Sequence, residues 1–372
     1  MKIYFDENGT LAGLKGLICR ALSDGAGGLA VLACEENGFD RAGLDALLRS
    51  VDKPLTGGLF PAVIYGGKAC SRGSVVLGFG GKAETAVIKD ISSPSTDFEP
   101  AMEGLADRAA GASTMILFTD GFAERNVQFT SSLFDIFGLA INYVGGGAGS
   151  LKSERIPCVF TNEGVLRDAA ALLLVECRSG VGVAHGWRPI GEPMLVTGAE
   201  GNKLLTLDLR NAFEVYVEKV AADTGVSFGK EDFPQVSRGY PFGIARIDME
   251  MIVRDPLKVT PEGYFIFPGE IPKDAYISIL TSDEQALLAA SAKAGGRAAA
   301  ALQGGEPENF LIIDCISRLL SLKDRFGSEL AGMTPPHSAS AGACTIGEIA
   351  NSGTEFLEFY NKTAVVAAMG KE

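Results

Sequence analysis

Histidine occurs only twice and tryptophan once in these 372 residues, and no Cys-x-x-Cys pair is present. Zinc sites draw on Cys and His in local pairs, so a zinc centre is not expected. The same shortage leaves His185 and His337 as the only bases for a serine hydrolase, and no Gly-x-Ser-x-Gly turn accompanies them. His337 follows Pro335 and Pro336 and precedes Ser338, Ala339 and Ser340, the composition of a solvated loop. Long apolar runs are missing too. Met115 to Phe118 and Ala169 to Val175 are core-sized, well short of the roughly 20 residues that a membrane-spanning helix needs. Basic runs are absent, and a formal charge of -13 repels phosphate backbones and anionic lipid, so neither nucleic acid nor membrane is an expected partner. Asp6 and Glu7 stand where a secretion signal would be basic and then apolar. Seven cysteines without regular spacing read as reduced thiols, and the expected compartment is the cytoplasm.

What is present is apolar material: 47% of residues are hydrophobic and 21% charged, a balance that excludes disorder. The first half alternates β-branched or apolar runs with helical patterns. Gly28 to Cys34, Ala62 to Tyr65, Val75 to Phe79 and Thr114 to Thr119 read as strands; Phe39 to Arg49, Pro100 to Ala110 and Asn126 to Phe137 read as helices. From Cys158 to Asp208 strand follows strand across Asn-Glu-Gly, Arg-Ser-Gly and Glu-Gly-Asn turns, which predicts an antiparallel meander in the middle of the chain. Residues 229–243 read as a surface loop, and no repeat of 20 to 50 residues is evident. The expected fold is α/β and α+β: two mixed β-sheet domains with flanking helices, residues 1–210 and 211–372, with a boundary between about 190 and 225.

Near the C-terminus, Gly342-Ala343-Cys344-Thr345-Ile346-Gly347-Glu348-Ile349 places one acidic side chain inside an apolar run, and Asn361-Lys362-Thr363 opens the next strand. An ionisable group among Ile and Ala is costly unless it is paired or working. This run closely resembles the C-terminal motif of the FIST proteins, a family of cytoplasmic sensory domains. Gly186-Trp187-Arg188-Pro189-Ile190-Gly191 is similar to the family's Gly-x-x-Pro-Ile-Gly segment. Asp314-Cys315-Ile316-Ser317-Arg318 is similar to its Cys-x-x-Arg, and Gly145 to Gly149 is a weaker fourth match. The resemblance implies a sensor with N-terminal and C-terminal FIST domains, which binds an amino acid or similar small molecule near the domain junction. Since no output module is visible, it would signal through a separate protein such as a histidine kinase or chemotaxis component; a homodimer is a further expectation.

Glu348 is the candidate carboxylate, either bonding a ligand amine or forming a structural network with Arg318 or Asn361. Cys315 and Arg318 stand at a strand-to-helix junction, where a helix end and a guanidinium lower a thiol pKa; the alternative is a buried structural cysteine. Trp187 and Arg188 present an aromatic face beside a cation, or else cover the core and pair with an acid. Gly146 and Gly147 read as a flexible or close-approach loop bordering the pocket, since the phosphate-loop spacing fails at Ser150; Gly347 ends its strand. His185 ends an apolar strand and is either a half-buried histidine or, as some relatives imply, a haem ligand in a nitric oxide sensor. Where the family often has His before Asn-x-Thr, Tyr360 stands here, which lowers the expectation of haem or acid–base chemistry. No complete catalytic constellation forms, so an enzyme using Glu348, Cys315 and Arg318 and a ligand-free interaction scaffold are the alternatives to the sensor.

Overall fold

In the computed structural model, which describes residues 1–152, 155–246, 250–303, 305–351 and 356–371, the run Gly28–Cys34 is buried at every position. A strand achieves that only inside a sheet covered on both faces. Its parallel neighbour is Leu55–Phe60, with Val31 opposite Gly57, and the helix Arg41–Arg49 makes the crossover. That helix starts where Asp40 accepts a hydrogen bond from the Gly43 N–H, and it turns Leu44, Leu47 and Leu48 inward. The same arrangement occurs twice more. Thr114–Asp120 runs parallel to Asn142–Ala148 across the helix Asn126–Phe137. Asn309–Cys315 runs parallel to Ala339–Thr345 across the helices Ile316–Leu322 and Phe326–Met333.

Each parallel pair is the centre of a six-stranded sheet, and the three sheets share one strand order. The first sheet runs Lys2–Asp6, Ser74–Phe79, Gly28–Cys34, Leu55–Phe60, Val159–Thr161, Gly164–Leu166. The second runs Ala83–Lys89, Ala169–Val175, Thr114–Asp120, Asn142–Ala148, Glu348–Asn351, Leu357–Tyr360. The third runs Ser179–Ala184, Ala364–Met369, Asn309–Cys315, Ala339–Thr345, Ala62–Tyr65, Lys68–Cys70. In every sheet the last two strands come from another copy. After its second parallel strand the chain crosses to a neighbouring sheet, adds a hairpin there, and returns to its own sheet. The path β-α-β-α-β-β-β-β is therefore travelled three times, over residues 2–79, 83–175 and 179–369, with the hairpins exchanged.

This exchange corrects the expected meander. Val159–Thr161, Ala169–Val175 and Ser179–Ala184 follow one another in sequence but enter the first, second and third sheets. Turn residues dictate a local reversal and leave the partner of the next strand open. Ala169–Val175, buried at all seven positions, needs neighbours on both edges, and it finds them in Ala83–Lys89 and Thr114–Asp120.

The chain divides into two compact units that do not follow chain order. The first contains Met1–Ala184, Ala290–Phe359 and Thr363–Glu372, and so holds the three sheets. The second, His185–Ala289 with Tyr360–Lys362, lies within the third copy of the path. Residue 210, the boundary expected from sequence, is inside this second unit. It has a nine-stranded sheet, and Phe213, Tyr216, Phe233, Phe242 and Phe265 meet ring to ring in its core. The segment 229–243, expected as a surface loop, contains the short helix Phe233–Val236, because Phe233 is drawn into that aromatic core. Of the strand expected over residues 244–249, residues 247–249 lie outside the described residues.

Register makes Gly57, Gly145 and Gly342 equivalent, opposite Val31, Leu117 and Ile312. A Cβ at these glycines would stand 1.9, 1.7 and 1.7 Å from the carbonyl oxygens of those three residues. No side chain fits, so the same residue recurs for the same reason in each copy. Gly342→Ala is expected to lower stability by about 3 kcal/mol in urea unfolding. Gly296→Ala, at an exposed helical position with nothing within 4 Å of the added Cβ, is the control and is expected to gain roughly 0.5–1 kcal/mol.

Candidate functional site

Open α/β sheets collect ligands beyond the carboxyl ends of their parallel strands, and the three copies offer three such ends. Counting from the equivalent glycine pairs, Ala33, Thr119 and Asp314 occupy one shared position and Cys34, Asp120 and Cys315 the next. On the strand beyond, Val63, Val159 and Glu348 share a position, each one step along from the glycine pairing. Two copies fill the positions of Asp314 and Glu348 without an ionisable group. Only the third puts two carboxyls there, so the fold itself does not require them.

Around these two carboxyls the third copy builds a dry polar cluster. Asp314, Glu329 and Glu348 are fully buried and Arg318 is 1% exposed. Arg318 donates from Nε to Glu329 Oε1 at 2.7 Å and from a terminal nitrogen to Ser291 Oγ at 3.0 Å, while Ser291 donates to Glu329 Oε1 at 2.6 Å. Arg318 Nε lies 3.4 Å from Asp314 Oδ1, which also accepts the Cys315 backbone N–H at 2.9 Å. Glu348 accepts from Thr345 Oγ1 at 3.1 Å and from the Thr363 backbone N–H at 3.2 Å. Gly347, in the left-handed region at φ 84°, delivers Glu348 to this place; a Cβ there would stand 2.2 Å from the Phe359 ring.

One guanidinium cannot neutralise three carboxylates in a medium that solvates charge poorly. The outcome is protonation. Burial raises the Glu348 carboxyl to about 8, against the hydrogen bonds from Thr363, Cys315 and Thr345 and the nearby Arg318 charge, which pull it down. Burial, and then the Glu329 charge, raise Asp314 well above the usual carboxylate range, opposed by Arg318. Among the described residues, Asp314 Oδ2 and Glu329 Oε2 have no hydrogen-bond partner although both are buried. The cluster thus combines one fixed ion pair, two protons held on carboxyls and unused acceptor capacity.

Of the residues singled out from sequence, Glu348, Cys315, Arg318, Gly146, Gly147 and Gly347 come together in the first unit. The glycines do so as strand rather than loop. Gly146 pairs with Glu348 inside the buried strand Asn142–Ala148, and the Gly147 N–H donates to the Gly347 carbonyl at 2.8 Å. Added Cβ atoms at Gly146 and Gly147 would meet backbone oxygens at 2.6 and 2.1 Å, so close approach is what these glycines supply. Cys315 is 5% exposed, and its sulfur accepts a hydrogen bond from Ser317 at 3.1 Å; access therefore limits its reactivity more than the helix end promotes it. Ser291, Glu329 and Thr345 were not singled out from sequence. Glu329 left a signal: it takes a core position in the stripe Phe326, Glu329, Leu330, Met333.

Trp187, Arg188 and Asn361 belong to the second unit. Arg188 is exposed and pairs with Asp283 at 3.8 Å. Trp187 is 9% exposed, donates from Nε1 to the Lys362 carbonyl at 3.3 Å, and lies under the Lys362 ammonium, 5.4 Å from the ring centre. Asn361 accepts the Asp255 N–H at 3.2 Å. His185 is buried, and its Nδ1 accepts the Trp187 backbone N–H at 2.9 Å, which assigns the ring proton to Nε2, facing Glu250 at 3.8 Å. Iron ligation through Nε2 needs the opposite tautomer, so this arrangement does not fit a haem ligand. Among the described residues no three His, Cys, Asp or Glu side chains are grouped to hold a metal ion, and no helix is long and apolar enough to cross a membrane.

Comparison with known families gives two matches, the FIST N domain over residues 28–210 and the FIST C domain over residues 212–351. They meet inside the second unit. No curated protein matches the chain.

Because folded Glu348 keeps its proton up to about pH 8, whereas the unfolded chain releases it near the ordinary 4.5, the folded state holds the extra proton between those limits. Stability therefore falls as pH rises through that window. Glu348→Gln is expected to flatten the fall by up to about 1.4 kcal/mol per pH unit relative to wild type, read from urea unfolding between pH 5 and pH 8.

Proposed function

The chain belongs to the FIST family, and on that premise we propose that it is a sensory protein which binds a small polar ligand, an amino acid or similar metabolite, at the Arg318–Glu348 cluster and conveys occupancy to a separate signalling protein such as a histidine kinase or chemotaxis component. FIST domains are associated with sensory and signal-transduction roles and with small-ligand binding. The observation that carries the choice of site is the asymmetry of the three copies: two fill the equivalent positions with Ala33, Val63, Thr119 and Val159, and one with Asp314 and Glu348. Carboxyls that hold protons in a buried site can exchange them for a ligand ammonium, and a guanidinium offers paired donors to a ligand carboxylate.

Recognition suits the cluster better than turnover. Every member is closed off from bulk water, so a ligand is admitted by opening of the site, and the thiol that would act as nucleophile is buried with it. The free state of all seven cysteines suits a reducing compartment.

Thermal-shift screening of the free amino acids tests the reading. A ligand at 100 times its dissociation constant stabilises the folded state by about 2.7 kcal/mol, which raises the melting temperature by several degrees. The shift is expected in wild type and should be reduced or lost in Glu348→Gln. If no amino acid moves the wild-type transition, this ligand class is wrong.

A further inference from the structure

The segment that follows the strand Leu357–Tyr360 is short, but it is held at both ends. Thr363 offers its backbone N–H to Glu348 Oε2 within the first unit. The preceding residue, Lys362, belongs to the second unit and is 2% exposed. Its ammonium pairs with Asp255 at 3.2 Å, donates to the Arg238 carbonyl at 3.1 Å and lies over the Trp187 ring; its own carbonyl accepts from Trp187 Nε1. Asn361 adds a bond to the Asp255 N–H. Lys362 does this at φ 53°, in the left-handed region that residues with a side chain seldom adopt. Such a conformation persists only where its surroundings over-determine it.

We propose that Tyr360–Lys362 is the output latch of the carboxyl cluster: the charge on Glu348 sets the strength of its bond to the Thr363 N–H, and through the Lys362–Thr363 peptide it sets the grip of Lys362 on Asp255 and Trp187. An ionised carboxylate accepts from an N–H about twice as strongly as a neutral group does. Gain or loss of charge at Glu348 therefore pulls on, or releases, the one peptide unit that the chain uses to pass from the second unit back into the first. Because Lys362 is already in a sparsely populated conformation, a small change in that pull suffices to shift its balance between clasped and released. The inference rests on the reading of Glu348 as the sensing group, and it holds whatever changes the charge there, a proton or a ligand.

Several groups set that charge. Asp314 and Cys315 face Glu348 from the strand Asn309–Cys315, Arg318 from the helix Ile316–Leu322, Glu329 from the helix Phe326–Met333 and Cys344 from the strand Ala339–Thr345. Burial raises Asp314 and Cys344 well above their ordinary values, so Glu348, at about 8, is the carboxyl whose charge changes near neutral pH.

Trp187 is the only tryptophan in the chain, so its emission reports the latch directly. The experiment is a pH titration of tryptophan fluorescence on the full chain from pH 6 to pH 9, in wild type, Glu348→Gln and Lys362→Met, with the protonation of Glu348 followed in parallel by carboxyl-carbon NMR. Wild type should show a step in emission that tracks the Glu348 titration. In Glu348→Gln that step should vanish, leaving only whatever His185, beside Trp187, contributes. In Lys362→Met the NMR titration should persist while the emission step disappears. Flat wild-type emission across the Glu348 titration overturns the latch, as does a step of equal size in Glu348→Gln. An emission step without any amino acid binding would keep the latch and discard the ligand class, so the two failures are separable.

Discussion

Everything distinctive about this chain depends on one imbalance: a single guanidinium, Arg318, sealed among Asp314, Glu329 and Glu348 with almost no exposure to solvent. Arg318 and Glu329 settle as an ion pair bridged by Ser291. The remaining carboxyls are then left to hold protons, because charge without a partner is expensive in a dry interior. Such an arrangement contributes little to stability and is a poor choice for a core. It is a good choice for a group whose charge must change when something arrives.

The threefold path supplies the control that makes this argument possible. Three sheets with one strand order, three parallel pairs and three equivalent glycines present the same backbone environment three times. In two copies the positions of Asp314 and Glu348 are filled by Ala33, Thr119, Val63 and Val159. The charges therefore reflect what the third copy does rather than what the fold needs. It is also within the third copy, between the strand Ser179–Ala184 and the helix Glu284–Ala301, that most of the second unit is inserted.

Much of the local structure was legible in the sequence. Gly28–Cys34, Ala62–Tyr65 and Asn126–Phe137 lie where apolar runs and helical periodicity place them, since these signals are local. Sheet membership was not legible. Nothing in Val159–Thr161 or Ala62–Tyr65 tells that each is added to a sheet built by another copy, because that choice is made by partners about 100 or more residues away. At the site, Glu348 stood out because an acid inside an apolar run is anomalous, and Arg318 and Cys315 through their motif. Ser291 was hidden in an alanine-rich helix, and Glu329 shows as anomalous only when the stripe through Phe326, Leu330 and Met333 is read as a core face. Lys362 was missed because its burial depends on Asp255 and Trp187, which lie far away in sequence.

Carboxyl-carbon NMR of Asp314 and Glu348, assigned with the Asp314→Asn and Glu348→Gln variants, tests the central claim most directly. The account predicts that both carboxyls are still protonated at pH 6, with Glu348 releasing its proton near 8 and Asp314 well above the ordinary carboxylate range. If both instead ionise close to their ordinary values, about 4 to 4.5, the cluster carries its charges openly and neither the proton exchange nor the latch can operate as described.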